Sequence, residues 1–97
     1  MILKFSQTVT QGFSPWKNMV HNNPDKLREH GITVIFAGTE QEDDTKMTAI
    51  LNFASPTGLE AFKADAEIAK ARVDAGVDLE STVITPMSDE SFSNYPG

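Results

Sequence analysis

Leu3, Phe5 and Val9 fall on one side of a period-two pattern, and Lys4, Ser6 and Thr8 fall on the other. This alternation predicts a strand over 2–9. Gln11-Gly12 ends it. Ser14 before Pro15 reads as an N-cap followed by proline at the first helical position. Phe13, Trp16, Val20 and Leu27 then recur near a 3.6-residue period and share one helix face. Asn22-Asn23-Pro24 interrupts that helix, because proline lacks an N–H and its ring clashes with the preceding turn. Asn23 is placed to cap a second short helix. Lys26, Arg28 and His30 lie toward its C-terminus, where positive charge is favourable, and Gly31 stands at the C′ position.

Ile32, Val34 and Phe36 alternate with Thr33, Ile35 and Ala37, which predicts a second strand over 32–40. The acidic run Glu40-Gln41-Glu42-Asp43-Asp44 reads as a solvated turn. A third strand follows over 46–53, with Met47, Ala49, Leu51 and Phe53 on one face, so the two strands form a hairpin. Ser55-Pro56 repeats the helix-start signal. Leu59, Phe62, Ala66, Ala69 and Val73 step by three and four, which predicts one amphipathic helix ended by Ala75-Gly76. Leu79 and Val83 alternate against Glu80, Thr82 and Ile84 in a fourth strand over 79–85. Residues 1–87 make the domain, and 88–97 a polar C-terminal tail that carries Phe92 and Tyr95.

The element order β-α-β-β-α-β predicts an α+β, ferredoxin-like domain. A four-stranded antiparallel sheet carries two helices on one face, since right-handed crossovers bring both to the same side. Leu3, Phe5, Val34, Phe36, Leu51, Phe53 and Val83 are the set expected to meet the helices. The opposite face then carries an apolar patch of Ile35, Ala37, Ile50 and Ile84 among lysines and threonines. Such a patch marks an interface. A homodimer formed sheet on sheet through that open face would cover it.

The order, the length, an aromatic first helix (Phe13, Trp16) broken near Asn23-Pro24, and the His30-Gly31-Ile32 entry to the second strand resemble the dimeric α/β-barrel superfamily. That superfamily includes antibiotic-biosynthesis monooxygenase-like domains and stress-responsive A/B-barrel proteins. The similarity covers about residues 1 to 87 and is closest to the superfamily's small bacterial families. It implies a dimeric α/β barrel with a pocket between sheet and helices. No position matches a family catalytic set, so none is transferred.

Composition narrows the chemistry. With 97 residues the chain suits one domain, and a domain of this size buries roughly 65% of its unfolded surface. It has no cysteine, which excludes a disulfide framework, a thiolate zinc site and a cysteine nucleophile. Fourteen acids against eight bases give a net charge of −6, which repels phosphate backbones, so no nucleic-acid partner is expected. No apolar run approaches the ~20 residues of a membrane span, and the N-terminus reads as a strand and not a signal peptide. A cytoplasmic location without membrane association follows as the expectation. No phosphate-binding glycine loop or nucleophile elbow is present, and no cofactor is expected.

Four residues stand out as candidate ligand contacts. Trp16 is the only tryptophan, and its indole N–H suits a pocket edge. His21 lies near the aromatic cluster. Asn52 carries a side-chain amide that needs partners if buried. Tyr95 could close a pocket from the tail. His21 and Asn52 are the catalytic candidates. His21 and His30 are the only histidines, and they share no metal-ligand spacing, so no metal site is expected. Glu40, Glu42, Asp43 and Asp44 lack the pattern of a calcium loop. The expected function is the binding of a small, partly apolar ligand, or assembly with a partner chain. The alternative is a cofactor-independent monooxygenase or isomerase acting on an aromatic or polyketide-like substrate.

Overall fold

In the computed structural model, which describes residues 1–97, the first alternating segment is strand β1 (Ile2–Val9). Helices α1 (Phe13–His21) and α2 (Pro24–Glu29) follow, then strands β2 (Ile32–Glu40) and β3 (Asp43–Phe53). Helices α3 (Pro56–Ala64) and α4 (Ala66–Asp74) lead to β4 (Val77–Pro86). The strands form one sheet in the order β2-β3-β1-β4, with every neighbouring pair antiparallel. This is the ferredoxin-like βαββαβ arrangement, with each crossover helix divided into two pieces on the same face of the sheet.

Alternation decides the two central strands. Leu3, Phe5, Gln7 and Val9 of β1 and Met47, Ala49, Leu51 and Phe53 of β3 are all buried, while their neighbours are not. Trp16, Ile32 and Val77 complete the core, and Phe13, Met19, Val20, Leu27, Leu59 and Phe62 pack on it from the helices. Phe62 meets three rings edge-on: Phe53 at 5.7 Å, Phe5 at 5.9 Å and His30 at 6.4 Å between centroids. Such arrangements favour aromatic pairs by about 0.5–1.5 kcal/mol beyond their burial.

Both edge strands depart from strict alternation. In β2, Val34 pairs with Leu51 but Phe36 pairs with Ile50, which leaves Ile35 as an extra residue. A bulge of one residue swaps the faces beyond it. Phe36 therefore lies on the open face, 56% exposed, and Ala37 packs toward the core. In β4 the single residue Gln7 lies opposite the stretch 79–82, between the pairs Ser6–Val83 and Thr8–Asp78. Ile84 then pairs with Phe5 on the helix face and Val83 with Ser6 on the open face. The expected open-face set of Ile35, Ala37, Ile50 and Ile84 is corrected accordingly: Ala37 and Ile84 face the helices, and the exposed apolar side chains are Ile35, Phe36 and Val83, beside the half-buried Ile2 and Ile50.

The helix ends explain the other departures. Helix α1 begins at Phe13, so Ser14 lies inside its first turn and not at the N-cap. Gly12, at φ +84°, takes that position, and the Asp44 carboxylate accepts from the Phe13 N–H at 3.4 Å. Ser55 caps α3 as expected, its Oγ accepting from the Gly58 N–H at 3.1 Å with Pro56 following. The single helix expected over 56–75 is broken at Asp65, whose Oδ1 accepts from the N–H groups of Glu67 and Ile68 and starts α4 afresh. Val73, expected in the apolar stripe, is consequently 53% exposed. Asn23 stands at the start of α2, but its side chain donates back to the Met19 carbonyl at 2.6 Å.

Helix α3 approaches the sheet closely. A methyl group on Gly58 would collide with the backbone carbonyl oxygen of His30. Alanine ordinarily favours a helix by about 1 kcal/mol over glycine, so the sign should reverse here. Gly58→Ala is expected to destabilise the protein by about 1–3 kcal/mol, the usual cost of overpacking. A urea midpoint at or above that of the wild type would show that α3 does not make this approach.

Candidate functional site

Between the helices and the sheet lies a half-open cavity of about 60 Å³. Phe5, Ala49 and Leu51 from the two central strands form its floor, Ile32 and Val34 of β2 one wall, and Trp16, Met19, Val20 and Leu27 the roof. Phe62, Ile68 and Arg72 close the far side. A single water needs about 10–15 Å³ by this measure, so the space accepts a slender apolar group. Gln7 and Arg72 are its only polar wall residues. A groove of about 290 Å³ lies beyond them between α3, α4 and β4, and it shares Phe62, Ile68 and Arg72 with the cavity.

Three elements bring those polar groups together. Gln7 occupies an inward position of β1 and is 7% exposed. The break at Asp65 sets the rotation of α4 that points Arg72 inward. The irregular stretch of β4 turns Thr82 toward Gln7, and the Ser81 hydroxyl repairs the interrupted ladder by accepting from the Thr8 N–H at 2.8 Å. Arg72 Nη2 donates to Gln7 Oε1 at 2.7 Å and to Thr82 Oγ1 at 3.0 Å. The Thr82 hydroxyl lies 3.2 Å from the same Gln7 oxygen, and Gln7 Nε2 donates to Met47 Sδ at 3.5 Å. The guanidinium carbon stands 5.7 Å from the centre of the Phe62 ring, within cation–π range. Burial pushes the Arg72 pKa down from its ordinary value.

A second polar cluster lies on the other side of Phe62. His30, 7% exposed, meets Asp65 Oδ2 through Nε2 at 2.9 Å. An ionised carboxylate only accepts, so Nε2 carries the proton. Lys26 Nζ donates to the same oxygen at 2.9 Å. The hydrogen bonds from His30 and Lys26, with that from the Ile68 N–H, hold the Asp65 carboxyl well below the usual range. Asp65 in turn raises the Lys26 ammonium above its ordinary value. Ligand atoms of Glu29, His30 and Asp65 lie within 4.8 Å of one another, a spacing that could suit a metal ion. Lys26 Nζ also stands 3.4 Å from Glu29 Oε2, so a cation already fills this cluster and it reads as an ion-pair network.

Of the four expected ligand residues, only Trp16 and His21 share a groove. Trp16 lines the cavity and is 8% exposed. His21 is exposed at the end of α1, in an outer groove with Lys17 and Phe36 that shares Trp16, Val20 and Val34 with the cavity. Asn52 lies on the open face, where its Oδ1 accepts from the N-terminal ammonium at 3.1 Å. Tyr95 is 81% exposed and packs edge-on against Phe92, while the tail residues Met87 and Phe92 share a groove with Ile2, Ile35 and Ile50. Gln7, Arg72 and Thr82 were absent from the expected set. Gln7 had a readable signal, a polar side chain at an inward position of an otherwise apolar strand face. No helix of the molecule is long and apolar enough to cross a membrane.

Comparison with known proteins places the fold. A candidate antibiotic biosynthesis monooxygenase from Nitrosomonas europaea superposes with a TM-score of 0.58 at 16% identity, covering 90% of this chain and 98% of that one. A candidate antibiotic biosynthesis monooxygenase from Deinococcus radiodurans gives 0.63 at 12% identity, with both chains covered completely. The likeness is one of fold. No family model matches the sequence. No curated protein matches it either.

Asp65 makes folding depend on pH with a definite sign. A carboxyl depressed in the folded state stabilises it above the unfolded value of about 3.9, and that contribution falls away as the pH drops below it. Asp65→Asn keeps an N-cap acceptor but loses the charge. Its urea midpoint is expected to fall below the wild type at pH 7, with the gap narrowing steadily as the pH drops below about 4. A gap independent of pH would remove the ionised carboxylate from the account.

Proposed function

We propose that this protein binds a small, largely apolar molecule in the cavity between sheet and helices, and that it does so as a homodimer joined through the open sheet face. The cavity carries the first half of the reading. Its walls are apolar apart from one convergent polar group, the composition of ligand sites in general. The 290 Å³ groove beyond Arg72 gives room for the part of a ligand that the inner space cannot hold. The open face supports the second half. Phe36 at 56% exposure and Val83 at 59% stand out from it beside Ile35, a patch that water solvates poorly.

A second reading, a cofactor-independent monooxygenase, draws support from the names of the two similar structures and from Trp16 in the cavity wall. Neither His21 nor Asn52 reaches that cavity, so any such chemistry would fall to Trp16, Arg72 and the ligand itself. Fold likeness alone is a weak warrant for an activity. Oxygen uptake with an electron-rich phenol, abolished in Trp16→Phe, would favour this reading over simple binding.

Ala49 is 1% exposed on the cavity floor, so Ala49→Leu fills the space. The wild type is expected to bind 1-hexanol with a change in Trp16 emission, and Ala49→Leu to weaken that binding by roughly tenfold or more. Equal binding by the two proteins would place the ligand elsewhere. For the dimer, Phe36→Lys puts an ammonium on the paired face. Burying it unpaired is expected to weaken association on the order of a hundredfold. A sedimentation profile unchanged by this substitution would rule out the open face as the interface.

A further inference from the structure

Arg72 holds the only cationic group at the cavity wall, and it has no anion. Its two recorded hydrogen bonds both come from Nη2, and both acceptors, Gln7 Oε1 and Thr82 Oγ1, are neutral. The ion pairs of the protein lie elsewhere, around Lys26, Arg28, Lys63 and Lys70. The guanidinium is positioned from three directions, by the glutamine, by the threonine and by the Phe62 ring. Nη1 and Nε are left without a protein partner. A cation drawn partly out of water costs free energy unless a counter-charge meets it. Its depressed pKa is in the direction expected for such a group.

Resting on the cavity reading, we propose that the ligand is an organic carboxylate with a slender apolar body. The carboxylate accepts from Arg72 at the threshold between cavity and groove, and the apolar body enters the space floored by Phe5, Ala49 and Leu51. Three observations favour this class over others. Arg72 lines both spaces, so a ligand in either passes it. Lys63, the other cation near the outer groove, is 3.8 Å from Glu60, which leaves one net positive charge and suits a monoanion better than a phosphate. No other residue of the inner wall carries a charge, so the charged end stays at Arg72 and the apolar end goes inward.

The test compares hexanoate with hexanamide, equal in shape and different in charge, read by the emission of Trp16 in the full chain. Charge-assisted hydrogen bonds predict that the wild type binds hexanoate roughly tenfold to hundredfold more tightly. Arg72→Gln should erase the preference, and Arg72→Lys, which keeps the charge, should retain part of it. Equal affinities in the wild type would overturn the carboxylate assignment and leave the cavity intact as a neutral site. Failure of hexanoate, hexanamide and 1-hexanol alike would overturn the cavity reading with it. The wild-type comparison decides the matter even if Arg72→Gln fails to fold.

Discussion

One aromatic side chain fixes the geometry on which everything else rests. Phe62 is held edge-on by Phe5 and Phe53 from the two central strands and by His30 at the entry to β2. Its ring also lies beneath the Arg72 guanidinium. It thereby ties α3, α4, the two central strands and the C-terminal end of α2 to one another. Gly58 lies one turn earlier on the same face of α3, and its missing side chain lets that turn seat against the His30 carbonyl. The bare glycine and the large ring set the depth and angle of α3 together. That angle decides how much room remains above Ala49.

Asp65 acts on the other end of the same helix. Its two oxygens divide the work. Oδ1 accepts from the first N–H groups of α4, and Oδ2 takes Lys26 and His30 from the opposite crossover. A carboxylate that both starts a helix and receives two donors from another element joins the two β-α-β halves beside the Phe62 ring. The break it imposes also changes which residues of α4 face inward. Val73 turns out to solvent and Arg72 turns in. A continuous helix would keep the stripe through Val73, and the guanidinium would leave the cavity wall.

Much of the fold was legible because its two central strands obey period two without interruption. Leu3, Phe5 and Val9, and Met47, Ala49, Leu51 and Phe53, all stand where alternation puts them. The break at Asn22-Asn23-Pro24 and the Ser55-Pro56 start were legible from local backbone restrictions, whereas the same signal at Ser14-Pro15 gave way to Gly12 at the N-cap, where the Asp44 carboxylate meets the Phe13 N–H. The edge strands were not legible. A bulge is an extra residue in the pairing and leaves no mark in the pattern, so the faces of Phe36, Ala37, Val83 and Ile84 read inverted. The site suffered most from this. Trp16 alone among the expected contacts reaches the cavity, and Thr82 meets Arg72 from the outer groove only through the irregularity of β4. Arg72 was hidden by treating α3 and α4 as one helix, although an aspartate ahead of Glu67 and Ile68 is itself a helix-start signal.

The two irregular edges therefore distribute the chemistry of the molecule. At β2 the inserted Ile35 moves an aromatic ring from the core side to the open side and leaves only Ala37 to cover the strand end. That exchange enlarges the exposed apolar patch and also thins the wall beside Trp16, so the space between α1 and β2 and the sticky outer surface arise from one residue. At β4 the longer insertion opposite Gln7 does the reverse. It takes Leu79 out of a regular strand position and presents a hydroxyl inward, where the Gln7 oxygen takes a donor and Arg72 an acceptor. Regular strands in both places would give a tighter core, with neither a polar group at the cavity mouth nor an aromatic side chain on the open face. The irregularities cost ladder hydrogen bonds, of which Ser81 restores one. A small domain that keeps such a defect on each edge has its cavity mouth and its exposed apolar patch set by the same device.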